Sequence, residues 1–163
     1  MSASSGIDPR GPRFGAGISA VLLLVTVGLG LVGGTPATLI ERVLQPAFLL
    51  LLVLTLVFAW GAFAGIARHP YGWLFRKLIR PRLKPPTELE DPAPPTFAQG
   101  IGFAVTAIGV VLHLAEVPYA IVVAASLAFV AAFLNSVFGY CIGCQLYLLL
   151  VRAGVLGRKS ATA

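Results

Sequence analysis

Long apolar blocks joined by short polar or proline-rich links make up most of this chain. Three blocks cover residues 14–33, 44–66 and 97–115, and none carries an Asp, Glu, Lys or Arg at its centre. Roughly 20 apolar residues in helical form cross a bilayer, so each block predicts one membrane span. Pro46 falls in the first turn of the second span, where its missing N–H is harmless. The apolar core of the first block exceeds the 7–15 residues typical of a cleaved signal segment, which favours a retained span.

The last apolar block, residues 119–151, is too long for one span. As a straight helix it would reach about 50 Å, against a hydrocarbon core of about 30 Å. Asn135, Ser136, Gly139 and Gly143 are the residues able to break it. The expected result is a fourth span over 119–137, a break between Asn135 and Gly139, and a short helix over 141–152 that is interfacial or re-entrant. The fold class that follows is an all-α integral membrane protein: one domain over 1–163, a four-helix transmembrane bundle with a broken fourth segment.

Composition agrees with that pattern. Hydrophobic residues are 58% of the 163 and charged residues 11%, against about 25% charged in soluble domains. The net charge of +6 flanks the spans, so it speaks for membrane orientation and anionic lipid, not nucleic acid. Arg10, Arg13, Arg68, Arg76, Lys77, Arg80, Arg82, Lys84, Arg152, Arg158 and Lys159 fall on one side of a four-span arrangement, and Arg42 alone on the other. The positive-inside rule then puts both termini and the 67–96 loop in the cytoplasm of a bacterial inner membrane.

Within that loop Tyr71, Leu74, Phe75, Leu78 and Ile79 recur at helical spacing, with Trp73, Arg76, Lys77 and Arg80 as candidates to face the lipid surface. A solvated basic loop is the simpler alternative. Residues 81–95 hold six of the twelve prolines and the acids Glu88, Glu90 and Asp91, which predicts an extended linker or docking surface without catalytic arrangement. Gly61 and Gly65 form a G-x-x-x-G pair that predicts close helix packing.

Candidate chemistry centres on Cys141-Ile142-Gly143-Cys144 at the start of the short helix. Unpaired N–H groups and the helix dipole favour a thiolate there, and residues at i and i+3 share a face. The pair can form a dithiol–disulfide couple or hold a persulfide, with Cys141 as nucleophile and Cys144 as the resolving thiol. Gln145 follows, able to bond a sulfur or a substrate, or to cap the turn. Inert packing cysteines are the alternative. A cytoplasmic location predicts the reduced dithiol at rest. Zinc needs four ligands; the two cysteines with His69 and His113 would be required, and His113 is expected at the opposite membrane face. No metal or cofactor is therefore expected. His113 and Glu116, three apart, are a further candidate proton-transfer or ion pair, or simply mark the interface.

The strings IDPRGPRF at residues 7–14, HPYGWLFRKLIRPRLKPPTELEDPAPPTFAQ at 69–99 and FGYCIGCQLYLLL at 138–150 together resemble the bacterial membrane family catalogued as domain of unknown function 4395. The resemblance covers nearly the whole chain. It implies a helical membrane protein and an association with thioredoxin-like or sulfurtransferase (rhodanese-like) partners, and it carries no catalytic assignment. The expected function is a membrane thiol-redox or sulfur-relay protein. Two others stand beside it: a subunit of a small-solute transporter, perforce a homo-oligomer with so few spans, and a scaffold without chemistry.

Overall fold

The structure, a computed structural model, describes residues 6–156. Arg158 and Lys159 lie outside the described residues. Four helices are long and apolar enough to cross a membrane: α1 (Arg10–Val32), α3 (Pro46–Ala64), α5 (Ala93–Leu114) and α6 (Ala120–Phe138). A short α2 (Leu39–Leu44) precedes α3, a helical turn α4 (Pro70–Leu74) follows it, and α7 (Ile142–Arg152) ends the described chain. No strand occurs among the described residues beyond one isolated bridge between Ile7 and Glu90.

α1 packs chiefly along α6, and α3 along α5. Leu23, Phe48, Leu51, Leu54, Phe58, Ile121 and the small residues Ala124, Ala125 and Ala128 fill the centre. Small residues let backbones approach where lipid supplies no hydrophobic drive between helices. At Gly109 an added Cβ would collide with Ala124, so the α5–α6 contact depends on that glycine. Thr26, Thr55 and Thr106 are buried and each donates to a carbonyl of its own helix, Leu22, Leu51 and Gly102 respectively, at 2.7–2.9 Å, which removes the cost of their hydroxyls in an apolar interior.

The helices depart from the hydropathy boundaries at their proline-rich ends. α1 starts at Arg10, not residue 14, with Pro12 in its first turn, and α5 starts at Ala93, not 97, with Pro94 and Pro95 there. Proline costs nothing where the N–H has no intrahelical partner, so the last residues of the expected extended linker are helix. Asp91 Oδ1 takes up the Ala93 N–H at 2.9 Å. α3 starts at Pro46 because residues 39–44 form α2, and it stops at Ala64 because Gly65 has φ +84°. That turn also corrects the G-x-x-x-G expectation. Gly61 does touch Gln99 of α5, but Gly65 ends the helix and nothing lies within 4 Å of where its Cβ would be.

The loop after α3 folds onto the bundle. α4 continues through a π turn, Phe75–Ile79, and a 3-10 turn, Arg80–Arg82. Phe75 is 3% exposed and packs on Phe14, 5.8 Å between ring centroids, while Tyr71 closes on Gly15. The amphipathic segment thus turns Phe75 and Tyr71 toward α1. Trp73, Arg76, Lys77 and Arg80 remain exposed; Lys77 Nζ lies 4.9 Å from the Trp73 ring, and Arg76 donates to the Ala67 carbonyl at 3.0 Å.

The N-terminal segment before α1 is strapped to this loop. Ile7 and Glu90 exchange two backbone hydrogen bonds of 2.9 Å, Arg10 pairs with Asp8 at 2.7 Å, and Arg10 also donates to the Lys84 carbonyl at 3.1 Å. The Arg10 guanidinium holds the Asp8 carboxyl below the usual carboxylate range. A lowered folded pKa stabilises above the unfolded value of about 3.9 and is lost as pH falls through the folded value. Asp8→Asn is therefore expected to lower the unfolding temperature in detergent at neutral pH and to converge with wild type in acid. A difference that persists unchanged below pH ~3 would contradict the strap.

At the opposite end of the bundle, Arg42 is buried. It donates to the His113 carbonyl at 3.2 Å, its own carbonyl lies 3.3 Å from His113 Nε2, and it lies 3.6 Å from Glu116. His113 stacks on Phe48 at 5.5 Å. His113 and Glu116 thus share Arg42 as their partner, joining α2 to the end of α5.

Candidate functional site

The site begins where α6 stops. Gly139 takes φ +69°, its N–H bonds the Asn135 carbonyl at 3.0 Å, and the Tyr140 N–H bonds the Leu134 carbonyl at 3.1 Å. This is the αL ending, in which a left-handed glycine closes its own N–H on the carbonyl four residues back and reverses the chain. The break is thus built by Gly139, at the far edge of the expected interval. Asn135 and Ser136, also candidates for the break, remain inside α6, and backbone groups cap its end.

Two residues later Cys141 is extended (φ −89°, ψ 100°) and caps α7, its Sγ accepting the Cys144 N–H at 3.2 Å. The Gln145 N–H closes the first turn on the Cys141 carbonyl at 3.1 Å. Cys141 and Cys144 are joined as a disulfide, with Cα atoms 5.2 Å apart. The structure holds the pair in its bridged form: the extended cap residue turns its sulfur onto the first helical turn, within the Cα separation that a disulfide bridges.

α7 is held by α5. A Cβ on Gly143 would lie 2.6 Å from Ala98 Cβ and 2.7 Å from Ala98 Cα, so the cysteine turn lies directly on the first turns of α5. Tyr147 packs on Phe97, 5.6 Å between centroids. Both cysteines are half-buried, and they line a cleft of about 310 Å³ with Arg13, Glu90, Asp91, Asn135 and Gln145. Arg13 lies over the Gly139 turn, its Nη2 2.7 Å from where a Cβ would stand. A guanidinium and a helix N-terminus at one cleft both favour a cysteine thiolate once the bridge opens.

Asn135, Gly139, Cys141, Cys144 and Gln145 are thus brought together. Trp73, Arg76, Lys77 and Arg80 do not line this cleft. Arg13, Gln99, Glu90 and Asp91 do, and the sequence reading missed them. In the sequence Arg13 reads only as a charge flanking a span, and Glu90 and Asp91 as acids of an extended linker or docking surface; their placement comes from the Ile7–Glu90 strap, which no local pattern signals.

A second cavity of about 330 Å³ lies under α4 and the strap and includes Asp8, His69, Tyr71, Arg76 and Gln99. His69 is 2% exposed; its Nδ1 accepts the Tyr71 N–H at 3.3 Å and its Nε2 has no partner. Burial pushes the His69 pKa down and that of Tyr71 up. A neutral imidazole with Nδ1 accepting carries its proton on Nε2. Among the described residues no group of three His, Cys, Asp or Glu converges on a point. His69 belongs to this second cavity and His113 to the far end of the bundle.

The profile of the family described as Domain of unknown function (DUF4395) matches residues 7–152. The chain belongs to this family. The match runs from the Ile7 strap to the end of α7, so strap, loop and cysteine turn all fall within the family region. No curated protein and no solved structure matches the chain.

Proposed function

We propose that this protein is a membrane thiol–disulfide exchange protein that works through Cys141 and Cys144 with a soluble thioredoxin-like or sulfurtransferase-type partner. The observation that carries the reading is a disulfide set in an open cleft at a helix N-terminus, beside an arginine. A partner thiolate attacks Cys141 Sγ and displaces the Cys144 thiolate. The partner's second thiol then attacks the mixed disulfide and releases Cys141 as thiolate, leaving the partner oxidised and this pair reduced. The reverse sequence is equally balanced. The helix N-terminus stabilises the leaving or attacking sulfur of Cys141. The joined sulfurs favour thiol exchange over the carriage of a persulfide.

The same reading places the protein in a bacterial inner membrane, with N- and C-termini in the cytoplasm and the cleft facing that compartment. It is supported by the basic residues near the cleft end of the bundle, against the single Arg42, itself buried, at the other. The exposed, basic α4 region supports contact with anionic lipid headgroups.

Equilibration of the purified protein in graded dithiothreitol buffers tests the chemistry. The expected outcome is a reversible two-electron transition between bridged and free thiols. A bridge that stays closed until the protein is denatured would end the proposal.

A further inference from the structure

Exchange through one cysteine pair turns over only if something restores its oxidised state. A third cavity, of about 240 Å³, lies on the bundle side of the cysteine turn, and Cys141 is part of its wall. Its remaining wall is largely apolar and small-residue, with Gly102, Val105, Ala128, Ala131 and Ala132 among α5 and α6 residues. Leu127 also lines it and is 61% exposed, so the cavity reaches the outer, apolar surface of α6, the surface that a bilayer would cover. The polar groups Gln99 and Asn135 are shared with the cysteine cleft, and Gln99 Oε1 is buried with no hydrogen-bond partner.

We propose that this cavity receives the ring of a lipid-soluble quinone, which reoxidises Cys141 and Cys144. The inference rests on the thiol-exchange reading. An apolar wall and an approach from that apolar surface exclude ionic, water-borne oxidants such as glutathione disulfide from this route and leave those to the cleft. Ligand pockets commonly measure about 300–1,000 Å³, so this smaller space admits a ring while the isoprenoid tail stays in lipid. The Gln99 and Asn135 side-chain amides in this wall can hydrogen-bond a ring oxygen, which is a carbonyl acceptor in the quinone and a hydroxyl donor in the quinol; a side-chain amide serves either by rotating. The step balances: the Cys141 and Cys144 thiols lose two electrons and two protons, the S–S bond forms, and both ring oxygens are protonated to give the quinol. No second cysteine pair is needed, because the cleft and the cavity share Cys141 as a wall residue.

The test uses the full chain in lipid nanodiscs, reduced and then freed of reductant without air. Decylubiquinone, whose substituted ring thiols reduce and do not alkylate, is the probe, and glutathione disulfide is the reference oxidant. One quinol is expected for each disulfide formed. Ala131→Phe, which fills the cavity, is expected to lower the ratio of quinone-driven to glutathione-driven rates at least about tenfold. Leu127→Trp, on the exposed face of α6, supplies the same comparison if the first variant does not fold. A pair that glutathione disulfide oxidises but the quinone does not would overturn the quinone site and leave thiol exchange intact, as would unchanged ratios in the variants. A pair inert to both oxidants overturns the thiol-exchange reading and this proposal with it.

Discussion

Cys144→Ser is expected to trap a mixed disulfide at Cys141, and Cys141→Ser is expected to trap almost none. The asymmetry comes from the turn itself. Cys141 is the cap residue: its Sγ receives the Cys144 N–H at 3.2 Å, and it meets the positive end of the α7 dipole. A lone Cys141 thiol therefore keeps its thiolate stabilisation when Cys144 is gone. A lone Cys144 thiol sits one turn into the helix, and its own N–H is directed at position 141. Thiolate fraction governs exchange rate, moderated by the lower nucleophilicity of a less basic sulfur. With glutathione disulfide as probe, the adduct should form at least about tenfold faster in Cys144→Ser than in Cys141→Ser. It should not accumulate in wild type, where Cys144 resolves it. Intact-mass spectrometry over time reads all three. Equal rates in the two variants would remove the cap as the source of reactivity, and faster reaction of Cys144 would reverse the assigned roles.

The largest structural effect is expected at Gly143. A methyl group there meets Ala98 Cβ and Cα at 2.6 and 2.7 Å, and the second is backbone that no side-chain rotation relieves. Gly143→Ala must lift α7 from α5, at a cost of about 1–3 kcal/mol for overpacking. In a chain of this size that lowers the unfolding temperature by about 2–4 °C for each kcal/mol. The Tyr147–Phe97 contact and the cysteine cleft would open with it. Gly100→Ala, two residues after Ala98 and on the same helix, is the matched control: its Cβ would find only Ala62 at 3.9 Å, so it is expected to be neutral or slightly stabilising through helix propensity. Ala98→Gly in the Gly143→Ala background should recover part of the loss, not all, because the Ala98 Cα remains. Thermal unfolding of the four proteins in one detergent measures this. A Gly143→Ala protein as stable as the Gly100→Ala control would contradict the packing of α7 on α5.

Hydropathy made the four spans legible because helix-length apolar runs leave few other options in a chain with 11% charged residues. Their ends were less so. Pro12, Pro94 and Pro95 look like interruptions in a hydropathy profile, yet each lies in a first turn and belongs to a helix. The excess length of the last apolar block demanded a break, but length does not say which residue supplies it. Asn135 and Ser136 stand out as polar groups in an apolar run, yet the helix ends at the backbone turn of Gly139. The cysteine motif stood out from its spacing. The cleft around it did not, because Arg13 comes from the start of α1 and Glu90 and Asp91 from the loop before α5. Gln99 was equally silent: only the meeting of α3, α5 and the His69 turn shows that Gly61 makes room for it.

Thiol trapping in intact bacterial cells tests the account most directly. Cells carrying the full chain are treated with a membrane-permeant or an impermeant maleimide, with and without prior reductant, and labelling at Cys141 and Cys144 is read by peptide mass spectrometry. Labelling by the permeant reagent alone, with a fraction that requires reductant first, is the predicted result: an exchanging pair in a cleft on the cytoplasmic side. Cysteines that stay unlabelled in every condition until the protein is denatured would contradict thiol exchange, and labelling by the impermeant reagent would contradict the orientation.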